Sequence, residues 1–395
     1  MSLTSNRNCP IRCFRAGVCS ALLFFGMTAS SLDATPQFAR KYQRDCSYCH
    51  LAPPVLNARG EAFLARGYRL VEDAVAPVPS HKTMPLAVWN SVDYEHRSNS
   101  TTDRAFPSRV ELISAGPIGG SGAAYFAEWR LLSQQIASGN ALLNRSGRFE
   151  DLFATVPVAA GAVAITVGQF RAISQVDVSR RLSISEPQVF SASLPGKPTS
   201  SSRVTSLRAF APSGRQPAIR AMWQQQIQDR PGDGWYAGGA ILFAGELTIP
   251  FTDAASFELE GRPKGALIES FRRSGVASFG GHVFLGDERR MAMAVAAFDV
   301  GPRVLLTGAA GVERLGGTTE SRVSLQGEIF LGRLVAVAGR LEDRTGTGRR
   351  VAGVLSGNIH FPFAPAWIRQ ALRLQIEQRI QVGDHRTLVS LSHVF

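Results

Sequence analysis

A mainly β protein, built as a transmembrane antiparallel β-barrel of about 16 strands behind a small N-terminal helical module, is the fold class this 395-residue sequence predicts. Three observations carry the prediction. Apolar and polar residues alternate at period two in segments of about 10 residues, the pattern of strands with lipid on one side and a lumen on the other. The alternation continues from Pro85 to Phe395, 311 residues, long for a single soluble sandwich. Turn-forming runs such as Pro231-Gly232-Asp233-Gly234 and Gly346-Thr347-Gly348 punctuate it.

The first segment, 1–34, reads as a secretory signal peptide. Arg7, Arg12 and Arg15 form a basic start, Ala16 to Met27 an apolar core, and Ala29, Ser30 and Ser31 a small-residue stretch, with cleavage expected after Ser31 or Ala34. The apolar core is short for a membrane span. No cysteine follows it until Cys46, so a lipoprotein anchor is not expected. Export through this segment, followed by a barrel, predicts a Gram-negative outer membrane as the destination. The formal charge of +12 includes three arginines of the signal, and their loss leaves about +9 or +10. Basic residues are spread singly or in pairs rather than in runs with interleaved aromatics, so a nucleic-acid partner is not expected. No nucleophile–base constellation or phosphate loop gives a hydrolase or nucleotide reading any footing.

The second segment, 35–83, holds Cys46-Ser47-Tyr48-Cys49-His50, the attachment pattern of a c-type haem. Residues i and i+3 share a face on one helical turn. Cys46 and Cys49 can therefore both reach one porphyrin, while His50 supplies the proximal iron ligand. Zinc also takes thiolates and imidazole. Cys9, Cys13 and Cys19 all fall in the signal, however, so the mature chain has too few thiols for a Cys₄ or Cys₃His site. A Cys₂His₂ site would need a second histidine, and a plain disulfide would leave His50 idle. One covalent haem c is the reading adopted. Pro54 and Leu56-Asn57 close the haem loop, and Asn57 is a fair N-cap for a short helix whose Phe63, Leu64 and Tyr68 share a face, ending near Leu70. His81 and Met84 follow directly, and either can complete six-coordination; methionine would give the higher potential. His96, Met222, Met291 and Met293 read as ordinary barrel residues. Some 45 residues cannot bury a complete cytochrome core, so something else must cover the haem.

Phe38-Ala39-Arg40, the haem motif, Pro54, Leu56-Asn57, Gly60, Phe63 and Gly67-Tyr68 together resemble the opening of outer-membrane cytochrome–porin fusions. The close match covers about 35 residues. Members of that family carry one c-type haem ahead of a β-barrel, and the best known are iron oxidases of iron-oxidising bacteria. The resemblance implies ferrous iron as a donor and an iron(II)-oxidising activity.

The third segment, 84–395, is the barrel. Ile368, Leu372, Leu374, Ile376 and Ile380 alternate with Arg369, Arg373, Gln375, Glu377 and Arg379. Val323, Leu325, Ile329 and Leu331 alternate with Arg322, Ser324, Gln326 and Glu328, and Ile219, Ala221, Trp223 and Ile227 with Arg220, Gln224 and Gln226. Leu152 to Phe170 carries no charge over 19 residues, nominally a helical span. Pro157, Gly161 and Gly168 turn the reading to a hairpin around Ala159-Ala160-Gly161. Val176 to Ser202, rich in Ser and Pro, is expected to be a long external loop. The chain closes on Phe395, with Leu391 and Val389 on the same face; this resembles the terminal aromatic signal of outer-membrane proteins, from which His393 departs. At about 19 residues per strand and turn, the segment makes roughly 16 strands, and a barrel that wide can hold the haem module in its lumen. The expected function is single-electron transfer across the outer membrane, from an extracellular donor to a periplasmic carrier. A solute porin with a haem-bearing plug or sensor, and a soluble periplasmic electron carrier, are the alternatives.

Overall fold

The computed structural model describes residues 38, 42, 44, 48–52, 55–57, 59–60, 63 and 68 near the N-terminus. It also describes 86–394 except 99–102, 120–121, 137–141, 145, 174–181, 183–214, 227–232, 249–255, 288, 316, 333, 347–349, 362–371 and 382. The signal segment, Cys46, His81, Met84 and Phe395 lie outside the described residues. Two short strands, β1 (His50–Ala52) and β2 (Val55–Leu56), form an antiparallel hairpin of their own.

The rest is a closed antiparallel barrel of 16 strands, in agreement with the length argument. In chain order come β3 (Leu86–Arg97), β4 (Arg104–Pro117), β5 (Ala124–Ile136), β6 (Leu142–Asn144), β7 (Arg148–Val158), β8 (Val163–Arg171) and β9 (Arg215–Gln226). They are followed by β10 (Gly234–Thr248), β11 (Ser256–Ser274), β12 (Ala277–Gly286), β13 (Arg289–Asp299), β14 (Val304–Leu315) and β15 (Thr318–Phe330). β16 (Val335–Thr345), β17 (Arg350–His360), β18 (Leu372–Gln381) and β19 (Asp384–Val394) complete the wall. β6 is a short piece laid on the end of β5, which pairs onward with β7 directly. The seam is β19 against β3, with Val389 opposite Tyr94. Because the strand number is even and every pairing antiparallel, β3 begins and β19 finishes at the same end, called here the seam end.

Alternation sorts the wall as the sequence implies. On β15, Val323, Leu325 and Ile329 are exposed while Arg322, Ser324, Gln326 and Glu328 are buried. The contrast is large: Leu325, Leu341 and Leu355 are 60–65% exposed, whereas Ser356, Asn358 and Glu377 on the other face are fully covered. An outward apolar band with a polar inner face is the physical requirement for a lipid-embedded barrel. Among the described residues no helix is long and apolar enough to cross a membrane. The charge-free stretch is the expected hairpin: Val158 pairs with Val163 across a turn at Ala159–Gly161. Gly168 lies so close to β7 that a Cβ there would meet Leu152 O at 2.2 Å.

Described residues of the N-terminal segment and of one long connection pack inside the lumen. Phe63 and Tyr68 of the N-terminal segment pack with Ala115, Ala124, Phe126 and Phe153, on the inner faces of β4, β5 and β7. Val55 packs with Phe330, Ala336 and Ala338 on the inner faces of β15 and β16. In the cyclic strand order these two patches stand five to eight of the sixteen strands apart. The segment therefore bridges the lumen at the seam end, beside the β4–β5 and β15–β16 turns. The long connection 172–214 leaves β8 at the opposite end, and here the sequence expectation needs correcting. Leu182 is wholly buried in the lumen, in the same cluster as Val55. Its carbonyl accepts hydrogen bonds from Ser356 Oγ and Asn358 Nδ2, both at 3.1 Å, and from Gln375 Nε2. A Ser- and Pro-rich composition predicts a loop, but an apolar residue within it still finds the driest place available.

Candidate functional site

The motif is described from Tyr48 onward. Tyr48 closes a short 3₁₀ turn, Cys49 lies in the following turn and His50 opens β1. The helical turn expected under the motif thus gives way before its last residue, because His50 pairs with Leu56 and Ala52 with Val55. Asn57 ties the loop together. Its N–H donates to Cys49 O at 2.9 Å, its Nδ2 to Tyr48 O at 3.1 Å, and its Oδ1 accepts from Gly60 N at 3.0 Å. The last bond is the N-cap read from the sequence. Gly60 is required by contact rather than by dihedral, since a Cβ there would lie 2.2 Å from Cys49 O and 2.9 Å from Leu56 Cδ2.

Cys49 is half-buried and outside any disulfide. Burial pushes its thiol up, and the Arg59 guanidinium partly offsets this. The guanidiniums of Arg44 and Arg59 sit 5.3 and 4.9 Å from the centroid of the Tyr48 ring, which gathers positive charge beside the motif. The helical face expected from Phe63 and Tyr68 ends sooner than Leu70: Tyr68 N–H donates to Phe63 O at 2.9 Å and Tyr68 takes a positive φ of 64°. Around them an aromatic series runs from module to wall. Phe38 stacks on Tyr68 at 5.4 Å, Tyr68 on Phe126 at 5.5 Å and Phe126 on Phe153 at 5.6 Å, and Phe170 meets Phe153 edge-on at 5.5 Å.

These residues fit a tethered haem. A thiol outside any disulfide and the adjacent imidazole hang from a hairpin that is itself fixed to the inner wall. Nearby on that wall, His360 is 4% exposed, and its buried Nε2 has no hydrogen-bond partner. Among the described residues no cluster of three or more His, Cys, Asp or Glu side chains could hold a bare metal ion. His96 is held by Asp103 at 2.6 Å on an exposed rim. Met291 and Met293 belong to an apolar cluster with Phe170, Leu242, Leu267 and Phe284, and Met222 is buried, as ordinary barrel residues would be.

Inner-wall charges satisfy one another. Arg130 bridges Glu111 at 2.8 Å and Glu150 at 2.9 Å, and Arg215 reaches Glu150 as well as Asp151 at 2.9 Å. Arg289 pairs with Glu313 at 2.8 Å, and Glu313 and Glu320 share Arg322. These arginines pair with lumenal carboxylates, which accounts for them without a propionate. The sequence reading missed the lumenal position of Leu182, the inward Phe126 and Phe153, and His360. Phe126 and Phe153 carried a signal in principle, as aromatics on the strand face that also bears Glu128 and Asp151.

Neither a family model nor a curated relative matches the chain. Solved structures of similar outline exist. The outer membrane channel DcaP of Acinetobacter baumannii is 11% identical over 78% of this chain and 96% of its own, with a TM-score of 0.48. A mutant of Rh. blastica porin is 10% identical over 78% and 99%, with a TM-score of 0.49. OmpF of Salmonella typhi in complex with daunomycin is 10% identical over 79% and 98%, with a TM-score of 0.48.

Proposed function

We propose that the chain is an outer-membrane barrel whose lumenal module binds one haem c and passes single electrons across the membrane, from an extracellular donor such as ferrous iron to a periplasmic carrier. Held through Cys46 and Cys49, with His50 as proximal ligand, the haem would supply one-electron chemistry between ferric and ferrous states. The observation that carries this reading is the seat of the motif's own segment, with Val55 against one wall and Tyr68 against the opposite one. Val55, Phe63 and Tyr68 keep water from the hairpin, and the paired glutamates and arginines of the wall leave little net charge facing it. Longer loops of membrane barrels are extracellular and short turns periplasmic, so the end of the wall at which the long connection leaves β8 and enters β9 would face outward and the seam end the periplasm. A redox group inside the wall divides the ~30 Å hydrocarbon thickness into two shorter steps.

A second reading, a solute porin whose module is a haem-bearing plug or sensor, is favoured by the barrel itself, since 16 strands enclose a channel-sized lumen. A soluble carrier fits poorly with an exposed outward belt of Leu, Ile and Val. Proteoliposomes separate the first two readings. Wild-type protein is expected to reduce an enclosed acceptor from an impermeant external reductant, ferrous iron included, and to stain for covalent haem on denaturing gels. The Cys46→Ala/Cys49→Ala barrel, fully inserted, is expected to lose both. Equal acceptor reduction by the haem-free barrel would mean solute leakage, and the porin reading would replace the electron conduit.

A further inference from the structure

We propose that the sixth ligand of the haem iron is His360, a residue of the barrel wall rather than of the module. The inference rests on the haem reading above and names a ligand for it. His360 is the last residue of β17 and shares its inner face with Ser356 and Asn358, at the seam end. Leaving a buried imidazole nitrogen without a partner is unfavourable, because its hydration is lost and nothing replaces it. A position of that kind calls for an explanation, and an iron atom supplies one, because neutral imidazole Nε2 is a haem ligand.

Position supports the same residue. Val55 shares an apolar cluster with Ala336, Ala336 stands opposite Asn358 in the β16–β17 register, and His360 is the next inward residue of β17. Asn358 also holds the carbonyl of Leu182, the residue packed with Val55. Within the module, Val55 lies opposite Ala52, two residues beyond the motif's His50. The motif's hairpin and the His360 end of β17 are thus linked through the apolar cluster of Val55 and Ala336 at the seam end.

Other candidates fit less well. His282 is also buried with neither ring nitrogen partnered. It is flanked in register by Glu269 and Met293, and no described residue of the N-terminal segment belongs to the apolar cluster that includes Met293. His393 shares by register the outward face of Leu391, and His96 is engaged by Asp103.

Ligation forms one iron–nitrogen bond, and no electron or proton changes hands. A second imidazole sets a lower potential than methionine would, which selects for a more reducing donor. It also makes six-coordination a property of the assembled barrel, absent from the module on its own.

The test is optical and electron-paramagnetic-resonance spectroscopy of the full chain in detergent. Wild type is expected to be low-spin with two imidazoles. His360→Ala should keep its covalent haem stain and its barrel, judged by heat-shifted gel migration. It should turn high-spin, bind carbon monoxide, and return to low-spin on adding imidazole. His360→Met should show the near-infrared band of sulfur ligation, and His282→Ala should match wild type. A low-spin His360→Ala spectrum identical to wild type, or a wild-type haem already high-spin, would overturn the assignment. Covalent staining keeps the two readings apart: a wild-type protein that carries no haem at all would overturn the electron-transfer reading as well.

Discussion

Gly60 shows how a single missing atom can hold the segment around Cys49 and His50 in shape. Its backbone approaches Cys49 O more closely than any Cβ permits, and Asn57 fastens the same loop from three sides. Gly60→Val should therefore displace the Cys49 carbonyl and abolish normal haem attachment, read as lost staining while the barrel keeps its heat-shifted migration. Asn57→Ala should act in the same direction but more mildly, at about 1 kcal/mol for a lost cap, seen as a lower melting temperature of the module. Both residues stood in the sequence as part of a spacing pattern, and Asn57 could be read as a cap because capping is a local rule. Gly60's contact could not, because it depends on how a turn and a helix start meet. His360 was invisible for a related reason: on a strand of alternating pattern, an inward histidine looks like any lumenal polar residue until the opposite side of the lumen is filled.

At the scale of elements, strands were legible and loops were not. Each barrel strand has a period-two signature that burial on one face enforces, so Val323 to Leu331 and Leu372 to Ile380 could be assigned faces from sequence alone. The hairpin at Ala159–Gly161 was equally plain, since Pro157 and Gly168 rule against a helix. The connection 172–214 has no period, and its described residue Leu182 is held in the lumen by a carbonyl that gathers three side-chain donors from β17 and β18. Replacing Ser356, Asn358 and Gln375 together by alanine should leave that carbonyl buried without its donors, at a cost of about 1–3 kcal/mol. The connection should then lift from the lumen, raising single-channel conductance in planar bilayers severalfold. Unchanged conductance would mean that the apolar contacts of Leu182 with Val55 and Phe330 hold it alone.

For the whole molecule, the wall is stiffened by ion pairs that water does not reach. Glu111 is fully buried, and Arg130 joins it to Glu150. Removing one partner of a buried pair strands the other, at about 3–5 kcal/mol. Arg130→Ala should accordingly lower the temperature at which the folded band is lost on heated gels, whereas the exposed pair of His96 with Asp103 should be dispensable by the same measure. Closed strand pairing and strand number followed from length and pattern, while the filling of the lumen depended on contacts between segments far apart in sequence. The seam has one more consequence, which concerns biogenesis. The module touches two separate stretches of the wall, and the last strand in chain order, β19, completes the enclosure against β3. A chain made in this order delivers its contents before it has a container. On the proposed haem reading, a group carried by the module would have to be attached before the barrel closes, and closing the last strand would seal in whatever had been loaded by then, which makes the assembly step a point of quality control.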